Sequence, residues 1–364
     1  MHGTVVGCPI DEIDTPALLI DLDRLDRNIA RMSAELRAAG VAWRPHCKGH
    51  KSPAIAHKEL AAGAFGITCA KLGEAEIMAA AGVRDILVAN QVVGPIKARR
   101  LAALCGQADV IVAVDSIENA REIDAAARAA GTRPRVIVEV NIGMHRAGVE
   151  PGAPTVAFSQ ELAAMEGIRY AGLMGYEGHA MGQADPVQRR AEIERTVRIL
   201  VDTAEACRAT GLPVEIVSAS GTGTYQHSTA IAGITEVQAS GGIFGDAFYR
   251  SLDVPVEPAL TILVGVTSRP APNRIIIDAG RKTLDASGIP PTVRDLEGVT
   301  LIRFSAEHGN IALDHDACCP RVGDRLVLDV GYHDGVVHLH DRFYGIRNGM
   351  VEVVWPIAAR GRLQ

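Results

Sequence analysis

Val41-Ala42-Trp43-Arg44-Pro45-His46-Cys47-Lys48-Gly49-His50-Lys51 is a short apolar run that ends abruptly in charge. It follows a helix-patterned segment that closes at Gly40. Two lysines, two histidines and an arginine then crowd into the residues from Arg44 to Lys51. A run of charge is ordinarily a solvated face. This one falls where a strand hands over to a loop, the end at which α/β barrels place their chemistry. A lysine held among cations and partly desolvated has a lowered pKa and can attack an aldehyde as the free amine. On these grounds Lys48 is the expected Schiff-base lysine, although by position alone Lys51 serves equally well.

Working outward, the same strand-then-helix rhythm repeats. Asp14-Thr15-Pro16 turns into the strand Ala17-Leu18-Leu19-Ile20, and Asp21 caps a helix with Leu25, Ile29, Met32 and Leu36 on one face. Helix-like segments at 52–62, 71–82, 95–105, 117–130, 153–165 and 187–210 then separate β-branched runs near 65–68, 85–88, 110–113, 135–140, 170–174 and 214–218. With 41–44 in front and 235–239 behind, the runs make eight strands. Apolar strands alternating with helices imply a parallel sheet with right-handed crossovers. Eight units in about 210 residues suit a closed (β/α)8 TIM-type barrel in the α/β class. After about residue 255 the runs 260–264, 274–278, 301–304, 325–329 and 351–355 are separated by Gly/Pro/Asp turns without long helices. We therefore expect a barrel over 15–254 and an all-β domain over 255–364, joined by residues 1–14.

The 364 residues are 48% hydrophobic and 22% charged, ordinary for a soluble enzyme. A net charge of −6 gives no reason to expect nucleic acid or an anionic membrane as partner. No apolar run approaches the roughly 20 residues that span a bilayer. The segment Met1 to Cys8 lacks a basic and a long apolar stretch, so no secretory signal is expected. Seven cysteines without a C-x-x-C pair fit reduced thiols in a cytoplasm.

Several clusters carry candidate chemistry. Ser218-Ala219-Ser220-Gly221-Thr222-Gly223-Thr224 follows a late strand, where small residues and hydroxyls can hold an anion such as a phosphate. The same loop is equally compatible with a plain tight turn. Ser240-Gly241 follows the last strand and offers further amides. Arg146 sits in a polar loop after the strand ending near Val140, as a solvated cation or a fixed guanidinium. In Tyr176-Glu177-Gly178-His179 the tyrosine can pack on a planar ligand, and Glu177 and His179 are acid/base candidates beside the reading of ordinary rim residues. Tyr332 to Asp341 is dense in His and Asp; if that segment is extended, His338 and His340 converge on one face for a divalent metal. Glu307-His308-Gly309 is a further rim candidate.

Together these segments resemble the pyridoxal-phosphate enzymes of the alanine-racemase-like barrel type. Within that type the chain is similar to the D-threonine aldolase and eukaryotic-type D-serine dehydratase family, which includes 3-hydroxy-D-aspartate aldolases. The resemblance runs from Asp14-Thr15-Pro16 to Trp355-Pro356-Ile357-Ala358-Ala359-Arg360-Gly361. Its most specific marker is Arg44 to Lys51, with Asn90 to Pro95, Gly143 to Gly148, Gly221-Thr222-Gly223 and Glu307-His308-Gly309 in support. It selects Lys48 over Lys51 and leaves His46 beside the cofactor. It also implies Arg146 at the cofactor's phenolic oxygen, Tyr176 lining the cofactor, and Gly221-Thr222-Gly223 with Ser240-Gly241 at the phosphate. The family's metal motif, His-Cys-Asp-Pro-Thr, aligns here with Tyr332-His333-Asp334-Gly335-Val336. Asp334 matches and the histidine lies one place along, so with a local bulge His333 and Asp334 are candidate ligands for Mn, Zn or Mg. A Tyr-His-Gly sequence reads Tyr176-Glu177-Gly178, the usual Gln before Lys71 is Ala70, and a tyrosine is replaced by Gly242.

The implied activity is retro-aldol cleavage of a β-hydroxy-D-amino acid to glycine and an aldehyde. The β-hydroxyl proton passes to Glu177, His179 or His333, or is acidified by a metal. β-Elimination of the D-serine dehydratase type and racemisation are the alternatives, ahead of a non-catalytic cofactor-binding protein. Related enzymes imply a homodimer.

Overall fold

In a computed structural model, residues 5–285 and 288–364 are described. The first four residues of the leader lie outside them. The chain divides into two compact units, one of residues 31–48, 53–240 and 361–364, the other of 1–30, 49–52 and 241–360.

In the opening segment, β1 (Ala17–Asp21) runs into α1 (Leu22–Ala38), whose first turn is capped by Asp21 Oδ1 accepting from Arg24 N at 3.0 Å. The first unit is the expected barrel. Its strands are β2 (Ala42–Trp43), β3 (Ile67–Cys69), β4 (Asp85–Gln91), β5 (Asp109–Val114), β6 (Arg135–Glu139), β7 (Arg169–Met174), β8 (Ile216–Ala219) and β9 (Glu236–Val237). They form one parallel sheet in the order β2-β9-β8-β7-β6-β5-β4-β3. A parallel bridge between His46 and Thr68, with Thr68 N donating to Pro45 O at 2.8 Å, joins β2 to β3 and completes the ring. Val136, Ile137 and Val138 are fully buried, as strands covered on both faces must be. Leu87, Ile111, Ala113, Ile137, Ala171 and Met174 pack as one interior cluster.

The helices between them are α2 (Pro53–Ala61), α3 (Leu72–Ala80), α4 (Pro95–Leu104), α5 (Ile117–Ala130), α6 (Ala153–Ala163), α7 (Pro186–Ala209) and the short α8 (Tyr225–Ser228). Their ends follow local chemistry. Ser116 caps α5 by accepting from Asn119 N at 3.2 Å, and Gly131 ends it at φ +66°. Asp185 caps α7 by accepting from Val187 N at 2.7 Å, with Pro186 in the first turn.

The other unit holds the short α9 (Ala247–Ser251) and an antiparallel assembly of β10 (Leu260–Ala271), β11 (Arg274–Ile277), β12 (Thr292–Val293), β13 (Val299–Phe304), β14 (Gly309–Leu313), β15 (Arg325–Asp329), β16 (Arg342–Arg347) and β17 (Met350–Pro356). β1 lies inside the span 15–254 expected for the barrel. It pairs instead in this sheet, antiparallel to β10 and parallel to β16. Ile13, Ala17, Leu19, Leu263 and Val351 form one cluster there, and this burial is what recruits β1. The segment around His338 and His340 is not extended. Val337–Leu339 is a single 3-10 turn, so the alternation that would align the two rings is absent. His338 Nδ1 faces Asp334 O at 3.1 Å, while His340 Nε2 faces Thr283 O at 2.8 Å. Glu307-His308-Gly309 closes the hairpin between β13 and β14, with exposed Glu307 paired to Lys282 at 2.9 Å.

Candidate active site

In the barrel, Lys48 lies on a 3-10 turn, Cys47–Gly49, just beyond β2, and its side chain is solvent-accessible. His46 holds the approach to it: its N–H donates to Gln238 O at 3.1 Å, and its Nδ1 accepts from Lys48 N at 3.3 Å. Cys47 is fully buried, its Sγ 3.5 Å from Cys69 Sγ, so one neighbour of Lys48 is anchored inside the barrel. Arg44 does not join the cationic crowd. Its fully buried guanidinium donates to Glu236 Oε2 at 3.1 Å and pairs with Asp85, so its charge is neutralised.

The loop after β8 has the features of an anion cradle. Ser220, Thr222 and Thr224 are buried, and Ser220 takes the left-handed φ of +70°. Ser220 Oγ is buried with no hydrogen-bond partner, a costly arrangement unless something else fills it. Gly221 cannot be larger without displacing a neighbour: a Cβ there would sit 3.1 Å from Cε2 of Tyr176. The Cε2 and hydroxyl edge of the Tyr176 ring therefore lies close to the Gly221 turn. Arg146 stands 5.9 Å from the centre of that ring and 3.4 Å from Glu139 Oε1, whose other oxygen accepts from Gln91 Nε2 at 2.6 Å. Ser240 is buried too, but its hydroxyl donates to Glu59 Oε1 at 2.6 Å, which leaves its backbone for an anion.

Glu177 is fully buried; Oε1 accepts from Ser228 Oγ at 2.9 Å and Oε2 has no partner. His179 Nε2 is 3.0 Å from Glu192 Oε1, while its Nδ1 is buried without a partner. Arg195, donating to Glu192, and then His179 hold the Glu192 carboxyl down at about 2 against its partial desolvation.

The second unit carries the other histidine. His333 is buried, and its Nδ1 is 2.5 Å from Asp246 Oδ2, which also accepts the His333 backbone N–H at 3.0 Å. Its Nε2 is 3.2 Å from Asp334 Oδ1, and Tyr332 donates to Asp334 Oδ2 at 2.9 Å. Gly49 and Gly241 close around the ring: a Cβ on Gly49 would lie 2.4 Å from Nε2, and one on Gly241 2.6 Å from Cε1. Phe244, Tyr249 and Tyr332 surround it with ring centres 5.2–5.9 Å away. Burial pushes the imidazole pKa down, but the two carboxylates outweigh it and raise it to about 9. Asp246 was not legible as a partner. Its sequence signal is that of a helix cap, which it also is, accepting from Tyr249 N at 3.0 Å at the start of α9.

This clamp has a consequence for stability. The folded pKa of His333 lies above its ordinary 6.5, so its contribution is full below that pH and lost as pH rises through about 9. The loss is on the order of 3 kcal/mol. Thermal midpoints measured across this alkaline window should fall, and Asp246→Asn should flatten the fall.

The comparisons with known proteins agree with these features. The family model described as "Alanine racemase, N-terminal domain" matches residues 20–247, and "Putative serine dehydratase domain" matches 259–346. A D-threonine aldolase of an Arthrobacter species is 36% identical over 98% of this chain and 95% of its own. The chain belongs to the D-threonine aldolase and D-serine dehydratase family. Another member, a 3-hydroxy-D-aspartate aldolase of Paracoccus denitrificans, is 36% identical over 98% of this chain and 94% of its own. Among solved members, a D-threonine aldolase from Filomicrobium marinum superposes with a TM-score of 0.95 at 38% identity, covering 99% of both chains. The barrel with its antiparallel companion is thus the family's architecture. No helix among the described residues is long and apolar enough to cross a membrane.

Proposed function

We propose that this chain is a pyridoxal-phosphate-dependent lyase that splits a β-hydroxy-D-amino acid into glycine and an aldehyde. The observation that carries the reading is an accessible lysine just beyond β2 in a barrel that also holds the buried Ser220 hydroxyl without a hydrogen-bond partner. The near-full-length similarity to two aldolases supports it.

The residues fit the cofactor. Ser220, Gly221, Thr222 and Gly223 would hold its phosphate, with the backbone of Ser240 and Gly241 as further donors, and Ser220 Oγ would gain the partner it lacks. Tyr176 would line its ring, Arg146 would lie at its phenolic oxygen, Lys48 would anchor it covalently and His46 would fix that lysine's backbone. When bound, the cofactor supplies the sink for the electron pair released at Cα. The net reaction breaks the Cα–Cβ bond, leaves the hydroxyl-bearing carbon as the aldehyde and returns one proton to Cα. It needs no oxidant and no co-reactant.

Glu177 Oε2 and His179 Nδ1 each retain a buried atom without a partner, so we assign the movement of that proton to this pair. His333 Nδ1 is engaged by Asp246 Oδ2 at 2.5 Å, and His333 is left out of the step.

Incubating the cofactor-loaded protein with D-threonine, D-serine and D-3-hydroxyaspartate tests the assignment. Glycine with an aldehyde is the expected product. A keto acid with ammonia would replace it by a dehydratase, and an L-amino acid by a racemase. Ser220→Ala should weaken cofactor affinity by about tenfold, the worth of one hydrogen bond to a charged group, in a spectroscopic titration. A homodimer is proposed from the resemblance and is read by sedimentation. A cytoplasmic setting is proposed because none of the seven cysteines forms a disulfide.

A further inference from the structure

Within the barrel, His179 sits on the 3-10 turn Gly178–Gly182 that follows β7, and Glu192 lies in the second turn of α7. His179 Nε2 is 3.0 Å from Glu192 Oε1. Arg195, three residues further along α7, donates to both oxygens of that carboxyl, Nη2 to Oε1 at 2.7 Å and Nε to Oε2 at 2.9 Å. A carboxylate only accepts hydrogen bonds, so Nε2 must be the donor. In the neutral ring the lone pair then falls to Nδ1. Nδ1 is buried, and an N–H there would have no acceptor. A Cβ on Gly143 would lie 3.0 Å from Cε1 and Nε2, so the loop after β6 packs against the ring and restrains it. Glu177, His179 and Glu192 are not placed as a metal triad: among the described residues no group of three or more His, Cys, Asp or Glu side chains could hold an ion.

We propose that Glu192, held by Arg195, is a positioning residue that fixes the Nε2–H tautomer of His179 and leaves Nδ1 as the proton acceptor of the cleavage. A carboxylate that orients an imidazole base from its far side is a general device for such a transfer. The proton leaves the β-hydroxyl oxygen for Nδ1 as the aldehyde forms, and one proton is returned to Cα of glycine. The inference rests on the lyase reading above, and it names the atom that takes the proton and the residue that holds that atom in place.

Two measurements decide it. Nitrogen-15 resonances of His179, read at about pH 8 where an ordinary imidazole is neutral, should show Nε2 protonated and Nδ1 bare. A hydrogen on Nδ1 overturns the proposal, with or without cofactor. The second is a double-mutant cycle on the cofactor-loaded protein, read as aldehyde release. Glu192→Ala suits a helix interior, and it should lower kcat at least about tenfold with KM kept within about twofold. In a His179→Ala background the same substitution should change kcat by less than about twofold, because no ring is left to orient. An equal fall in both backgrounds marks a merely structural role and overturns the proposal, as does no fall in either. If Glu192→Ala does not fold, the wild-type resonances decide. If the wild type cleaves no substrate, the lyase reading fails, and the resonances still judge the tautomer.

Discussion

Lys48→Ala is expected to remove the visible absorbance of the bound cofactor and to lower aldehyde release by roughly three orders of magnitude or more. The lysine follows β2 on a turn held from both sides. His46 accepts its backbone N–H at 3.3 Å, and Cys47 is buried against Cys69. The alanine therefore removes the amine with little disturbance of the turn. Lys51→Ala is the control. Lys51 takes φ +51° and its carbonyl accepts from Ala359 N at 2.9 Å, so its backbone has a structural part, and we propose that its amine takes none in the reaction. That variant should keep both absorbance and turnover. If instead Lys48→Ala kept the absorbance and Lys51→Ala lost it, the assignment of the lysines would be reversed.

Arg44→Ala should produce the largest loss of stability, about 3–5 kcal/mol, because it strands a carboxylate in the barrel interior. Glu236 is 2% exposed and pairs with Arg44 Nε at 3.1 Å, while Asp85 keeps a second partner in Arg135 at 2.9 Å. The burden of the deletion thus falls on Glu236. Adding Glu236→Gln should recover part of the loss by removing the stranded charge. Denaturant midpoints followed by the fluorescence of Trp43, whose indole donates to Ala239 O at 2.7 Å, report on this part of the barrel. An Arg44→Ala midpoint equal to that of the wild type would show the guanidinium to be dispensable.

These two positions mark how far sequence reading reaches. Both belong to the same cationic run. The position of Lys48 on a turn just past a barrel strand was legible because strand end and loop coincide in local sequence. Arg44 was misread as part of the cationic surroundings, because its partners lie 192 and 41 residues away and no local pattern announces them. The helices, the eight barrel strands and the later β-rich stretch were legible for a related reason. Periodicity, caps such as Ser116 and Asp185, and turn residues act within a few positions of each other.

The candidate site divides along the same line. The Ser220 to Thr224 loop announces an anion cradle through its composition, but only the fold shows Ser220 Oγ buried without a partner and Ser240 committed to Glu59. The one-residue shift that places His333 beside Asp334 was visible in the sequence. The 3-10 turn His333–Gly335, and the pairing with Asp246 across 87 residues, were not.

The sequence by itself determined the barrel, the β-rich companion and the family, because each is written in short-range periodicity or in a contiguous motif. The tertiary structure alone decided where β1 pairs, which charges are neutralised and which buried polar atoms lack a partner. Those outcomes depend on burial and on partners distant in the chain, where a carboxylate a few ångströms away outweighs anything its neighbours in sequence can supply.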